Sequence, residues 1–372
     1  MHTAVVAAIA ALALLLGSCT STGTGRLSAA PPRDQVDPFW PKPLPNQWAL
    51  GQVAGLHVDS KDHVWIIHRP RTIENLETGA AQNPPTAKCC RPAPAVIEFD
   101  PAGNVVQSWG GPGAGDQGYQ SYDWPSNEHG IYVDPKGDVW IGGNDAKDHH
   151  ILKFTRGGKF LLQIGKPGKS EGSNSTTQLG RPASMELDAV ANELYVADGY
   201  GNKRVIVFDA TSGAYKRHWG AYGNKPDDAK MRQFNPESPQ FANPVHCVRL
   251  GKDNLLYVCD RTNNRIQVFE KSGKFVRQFV IEPKTQINGT VHDMILSPDP
   301  LQTYLFVGDG SSGEIHIVRR DSGERVASFG RLGRMAGEFY GLHNLAADSR
   351  GNLFTAEVRT GRRVQRFVAS DR

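Results

Sequence analysis

Sulfur is scarce in this chain, with 5 Cys and 5 Met among 372 residues, and a disulfide-stapled miniprotein is excluded. Excess charge of one sign is missing as well: 42 Lys+Arg against 38 Asp+Glu leave a formal charge of only +4. That balance gives no electrostatic reason to expect nucleic acid or an acidic membrane surface as partner. Beyond Leu16 no long apolar run occurs, which rules out a multi-pass membrane protein. Long heptad stretches and a collagen period are absent too. What is abundant is Gly (40) and Pro (24), so turns are frequent and the elements between them short. All-β folds of this kind often run well past the usual domain length as one unit.

The N-terminus is a different kind of sequence. Ala4 to Leu16 is an unbroken apolar run of 13 residues, too short to span a bilayer comfortably and suited to the core of a secretory signal. It ends in Leu16-Gly17-Ser18-Cys19, similar to the bacterial lipoprotein box in which the Cys becomes the lipidated first residue. The expected layout is a signal peptide over 1–18, lipidation at Cys19 with ordinary cleavage as the alternative, a flexible tether over 19–46, and a folded domain over 47–372. It implies a monomer exported to the periplasm or cell surface of a bacterium, touching the membrane only through its lipid. Of the four remaining cysteines, Cys247 and Cys259 face each other across one expected hairpin, while Cys89 and Cys90 are neighbours. Two disulfides are allowed, and so are buried free thiols for at least one pair.

From residue 50 onward one pattern recurs six times: an apolar strand, a polar turn, a second strand, a loop, and a third strand ending near Phe. His129-GIYVDPKGDVWIG and Leu345-AADSRGNLFTAE show the first two strands, and Arg204-VIVF and Arg265-IQVF the third. A fourth strand ending in Gly, such as Phe160-LLQIG, follows five of the units. Repeats of roughly 50 residues with four strands each are the blades of a β-propeller. The fold class is therefore all-β, a six-bladed propeller. Its sixth blade lacks a fourth strand, and Gln47-WALG is expected to supply it from the N-terminal side. Individual blades resemble the NHL repeat, most clearly Asp198-GYGNKRVIVF and Asp260-RTNNRIQVF.

One position at the head of each first strand carries Ala54, His129, Ala183, His246, His292 and His343 in blade order. First strands line the central channel, so these residues meet at one height. Blades two, four and six alternate around the ring, which sets His129, His246 and His343 about 120° apart, an arrangement suited to catalytic zinc. His292 is an additional channel histidine, open as a fourth ligand, an acid–base group or a hydrogen-bond partner. His57, His149 and His150 fall elsewhere in the blades as ordinary core or surface residues, with His68 left undecided. Arg69, Tyr200 and Arg261 end up on the histidine face, as does the long insertion from Pro70 to Pro94. Together they describe a mouth for a small anionic or peptide-like substrate, with Arg261 read as a structural salt bridge.

From about Gly51 to Phe367 the chain resembles the peptidyl-α-hydroxyglycine α-amidating lyases. Gly51-QVAGLHVDSKDHVWIIHR69 is similar to that family's first blade, and Asp198-GYGNKRVIVF to the segment bearing its catalytic tyrosine. Pro244-VHCVRLGKDNLLYVCDRTNNRIQVF resembles a zinc-histidine blade. The resemblance implies zinc on His129, His246 and His343, Tyr200 as base, and Arg69 for the substrate carboxylate. It also implies a structural calcium at the main chain of Leu56 and Ile131, but Asn344 stands where the family has Asp, and the Asp of this chain is Asp293. Either the calcium site differs or His292 replaces His343 as third ligand. Gly341 takes the place of a family Met, and Gly201 of a family Cys. The expected activity is cleavage of an N-acyl-α-hydroxyglycine or related carbinolamide to an amide and glyoxylate. The alternatives are another metal-dependent propeller hydrolase or lactonase, for which His292 would serve as extra base, and a non-catalytic NHL-type binding propeller.

Overall fold

The computed structural model describes residues 34–112 and 122–369, besides Met1. The expected signal peptide, Cys19 and most of the expected tether lie outside the described residues. Six four-stranded antiparallel sheets are arranged as blades. Their inner strands are Gln52–Val58, Glu128–Val133, Ser184–Asp188, Val245–Leu250, Asp293–Leu296 and Leu342–Ala347. Among the described residues no helix is long and apolar enough to cross a membrane.

The repeated turn has a repeated cause. Asp59, Asp134 and Asp348 each close the first strand by accepting two backbone amides, two and four residues on, at 2.8–3.0 Å. In blades one and two the second carboxylate oxygen takes the indole of the next strand, Trp65 at 3.1 Å and Trp140 at 3.3 Å. A second device fixes the loop between second and third strands. Buried Arg204 and Arg265 lie on Asp198 and Asp260 at 2.9 and 2.8 Å, and Arg363 on Glu357 at 2.6 Å. The first two are pairs of fully buried, hydrogen-bonded charges, costly to break from one side. Between the blades lie apolar layers, such as Tyr195, Val207, Trp219, Val248, Leu256 and Phe269 between blades three and four.

Ring closure differs from expectation. The last blade is completed by Asp34–Asp37, which pairs with Val364–Ala369 in the register Val36 to Phe367. Gln47–Gly51 does not close the ring; Trp48–Ala49 instead runs parallel to Arg91–Pro92 of the long insertion. The closing strand has a single inward apolar side chain, Val36, against Phe367 and Phe339, so it lacks the apolar run and final Gly that mark the other fourth strands. Trp40, 4% exposed, then packs on Phe99 of blade one and Phe354 of blade six. The propeller therefore begins at Asp34 rather than at 47.

Both expected cysteine pairs are joined. Cys247 and Cys259 face each other across their hairpin, and Cys89 is bonded to Cys90 in the long insertion. That insertion is tied to blade two by Arg71 on Ser126 O (2.6 Å) and to blade six by Glu77 with Arg362 (2.6 Å). His68 anchors its base, accepting from Gly51 N at 3.2 Å and donating to Pro94 O at 3.0 Å.

Removing residues 1–46 strips the edge of the last blade and its Val36 contact. A chain lacking them is expected to melt several degrees lower than one lacking only 1–32, which should match the full chain in thermal denaturation.

Candidate active site at the channel mouth

The channel histidines sit on irregularities of the inner strands. The pairing register slips between Glu128 and Ile131, Val245 and Cys247, and Leu342 and Asn344, so that His129, His246 and His343 each fall within a bulge. A bulge puts an extra residue on one strand and re-aims its side chain, here toward the axis. Each imidazole then donates from Nδ1 to the carbonyl of the same register position one blade on: His129 to Ala183 O at 2.8 Å, His343 to Ala54 O at 2.9 Å, and His246 to His292 O. With Nδ1 committed as donor, the neutral ring presents a bare Nε2. The three rings form a nearly equilateral triangle with centroids 4.8, 4.8 and 5.2 Å apart, and their ligand atoms lie within 4.8 Å of one another. Burial holds all three well below the usual histidine range, His343 down to about 3; Arg261 pushes all three the same way, and Arg69 does so for His129 and His343.

Tyr200 caps this triangle. Its hydroxyl is 3.0 Å from Nε2 of His129 and 3.0 Å from Nε2 of His246. One phenolic proton can serve only one of those two acceptors, so the cluster holds more lone pairs than protons. A divalent cation answers that surplus, and three imidazole nitrogens with one open side fit zinc. Around the phenol stand three guanidinium groups. Arg261 Nη1 donates to the hydroxyl at 3.4 Å, and Arg181 and Arg261 each lie 5.8 Å from the ring centroid. Arg69, at the end of Val64–Arg69, is nearly buried and held on three sides: Glu128 O at 2.8 Å, Gln52 Oε1 at 2.8 Å and Asn144 Oδ1 at 3.3 Å.

Comparison with known proteins bears on this site. The NHL repeat profile matches residues 245–269, which span the first three strands of blade four. Peptidyl-α-hydroxyglycine α-amidating lyase 1 of Drosophila melanogaster is 26% identical over 356 residues, covering 88% of this chain and 58% of that protein. The fly's lyase 2 is 24% identical, covering 88% and 73%. The chain is similar to these lyases along most of its length. It spans little more than half of the first relative's length. The peptidyl-glycine α-amidating monooxygenase of Mus musculus is 25% identical over 83% of this chain but only 30% of its own. A streptogramin B lyase structure superposes with a TM-score of 0.51 at 12% identity over 86% of this chain and 94% of that one, a likeness of fold.

Within this site some expectations need correction. His292 stands outside the triangle: its ring is 6.1 Å from that of His246, its Nδ1 accepts from Gly310 N at 3.1 Å, and its carbonyl orients His246. It is thus a support for a neighbour, and the observation that favoured a hydrolase is engaged otherwise. Arg261 makes no salt bridge among the described residues; its Nε is buried without a hydrogen-bond partner. The residues proposed for calcium do not fit that ion. Asp293 is saturated by Arg249 Nη2 at 2.7 and 2.8 Å, Asn344 Nδ2 at 3.2 Å, and the amides of Leu345 and Met294 at 3.1 and 2.9 Å. Asn344 Oδ1 is turned to His343 at 2.7 Å. Leu56, Arg249 and Glu186 line a cavity of about 300 Å³ at the other end of the channel, while Ile131 is packed in the core between blades one and two. A guanidinium occupies the role a cation would have.

Sequence reading missed Arg181, Asn144 and Arg249. Arg249 lies on an inner strand three residues after the channel histidine His246, and the matching His57, Glu186, Ile295 and Ala346 of other blades line the same cavity, so that spacing was the available signal.

Excess calcium is expected to leave the melting temperature unmoved, whereas Arg249→Met strands the Asp293 charge and should lower it by about 5 °C or more. Burial raises the Glu186 carboxyl from 4.5 to about 7. A raised folded value means stability is complete below pH 4.5 and is lost as pH climbs through 7. The wild-type melting temperature should therefore fall across that interval, and Glu186→Gln should flatten the fall.

Proposed function

We propose that the channel mouth cleaves the C–N bond of an N-acyl-α-hydroxyglycine, or a related carbinolamide, to give an amide and glyoxylate. The observation that supports this most directly is Tyr200, whose hydroxyl oxygen sits 3.0 Å from two Nε2 atoms of a three-histidine cluster. Zinc bound by His129, His246 and His343 would supply Lewis acidity, lowering the pKa of a hydroxyl beside it. Arg69, fixed by three oxygen acceptors, presents its charge to the substrate carboxylate and offsets the negative charge that builds as the bond stretches. The Tyr200 oxygen takes the proton of the substrate hydroxyl. Arg261, donating to that same oxygen, offsets charge on it whenever it is unprotonated. As the hydroxyl oxygen becomes the aldehyde oxygen of glyoxylate, the electron pair of the C–N bond passes to nitrogen, which takes the proton back to become the amide N–H. The nearly buried mouth keeps bulk water from competing for that proton.

The apolar run Ala4–Leu16 and Cys19 support the further reading that the chain is exported and lipid-anchored.

The test is glyoxylate release from α-hydroxyhippurate. Release should require the metal, and Tyr200→Phe should reduce kcat by about 100-fold or more while metal content stays at the wild-type level. His129→Ala should lose metal and turnover together. Metal-loaded wild-type protein that releases no glyoxylate would reject this chemistry.

A further inference from the structure

The mouth carries more positive charge than the proposed reaction uses. On that reading Arg69 meets the α-carboxylate and Arg261 serves the Tyr200 oxygen, which leaves Arg181 without a task. Arg181 precedes Pro182 on the loop entering blade three, in a left-handed conformation with φ of 62°. Such a conformation is uncommon for a residue with a side chain and is held only where the surroundings enforce it. Here they do: Arg181 O accepts from Tyr200 N at 3.2 Å, and Arg181 Nε donates to Asn144 O at 2.8 Å. Asn144 also receives Arg69, through its side-chain oxygen at 3.3 Å. One residue therefore pins two like charges side by side, and Asn127 Nδ2 fixes that oxygen from behind at 2.6 Å.

Elsewhere in this propeller arginines lie on carboxylates, as buried Arg204 and Arg265 and half-buried Arg363 do. Among the described residues no Asp or Glu oxygen comes within 4.0 Å of Arg69, Arg181 or Arg261; the ion pair beside them is Arg71 with Glu128, at 3.8 Å. Arg181 Nε is spent on a backbone oxygen, and its terminal nitrogens have no acceptor among the described residues. A fork of donors that is pre-oriented and left unneutralised next to a carboxylate-binding arginine is built for a second anion. A substrate of the proposed class has only one carboxylate on its glycine half. The other anion must come from the acyl half.

We propose that Arg181 binds an anionic group on the acyl side, so that the substrates of this site are N-acyl-α-hydroxyglycines whose acyl part ends in a carboxylate or a similar anion. The proposal rests on the lyase reading and names its substrate class. Arg181 is then a specificity-determining residue that does not touch the reacting atoms.

The experiment compares N-succinyl-α-hydroxyglycine with its distal methyl ester, which differ only in the outer charge. Wild-type enzyme should favour the acid in kcat/KM by about tenfold or more, chiefly through KM. Arg181→Gln should bring the ratio toward one, and Arg181→Lys should restore part of it. A merely structural role for Arg181 would depress both substrates alike and leave the ratio standing, which would overturn the proposal. Equal use of acid and ester by the wild-type enzyme would also overturn it, whether or not the variants fold. Failure to release glyoxylate from either substrate and from α-hydroxyhippurate would instead remove the lyase reading, and this proposal with it.

Discussion

Everything at the channel mouth depends on one hydrogen bond made three times, from the Nδ1 of an even-blade histidine to the main-chain oxygen at the same level of the following odd blade. That bond sets the tautomer, points Nε2 at the axis, and locks the ring's rotation. Odd blades need no side chain for this purpose, since Ala54 and Ala183 do it with their backbone. Their small size leaves room for three imidazoles where six would not fit. The cluster is consequently a property of blade-to-blade spacing. Any change that tilts one blade against the next moves an acceptor away from its donor before it disturbs the fold.

Blade architecture was legible in the residues because each blade repeats the same local solutions: an aspartate closing the first strand, and a carboxylate gripping an arginine at the third. The histidine register was legible for the same reason, since equal positions in equal repeats must converge. What the sequence concealed was irregular. The closing strand, Asp34–Asp37, has one apolar side chain turned inward and no final Gly, so it lacks the pattern of the other fourth strands. Gln47–Gly51 carried the right letters and went elsewhere. His292 shared the register but not the bulge, because its strand begins one residue later, at Asp293. Pairwise relations across distant loops, such as Asn144 holding both Arg69 and Arg181, leave no periodic trace.

Charge is handled in two opposite ways along the channel. At its far end the guanidinium of Arg249 is neutralised by Asp293, and the pair ties the inner strands of blades four, five and six together through Leu345 N and Asn344. An internal ion pair of this kind makes the link independent of any ion in solution. At the histidine end Arg69, Arg181 and Arg261 make no ion pair among the described residues. Like charges held together in that way repel, and the binding of an anion relieves it. One end of the channel is thus closed electrostatically and the other is left open to a ligand.

The pairing of Asp34–Asp37 with Val364–Ala369 puts the two ends of the folded chain in one sheet, Asp34 directly opposite Ala369. A pull on anything attached ahead of Asp34 would be felt first by a four-residue ladder and by Val36. The ring would open at this seam, as a zip opens from its last tooth, while the five blades that are each made from one continuous stretch stayed shut. The seam lies in blade six, which also carries His343, so mechanical load on the N-terminal side and the geometry of the histidine triangle share a single sheet.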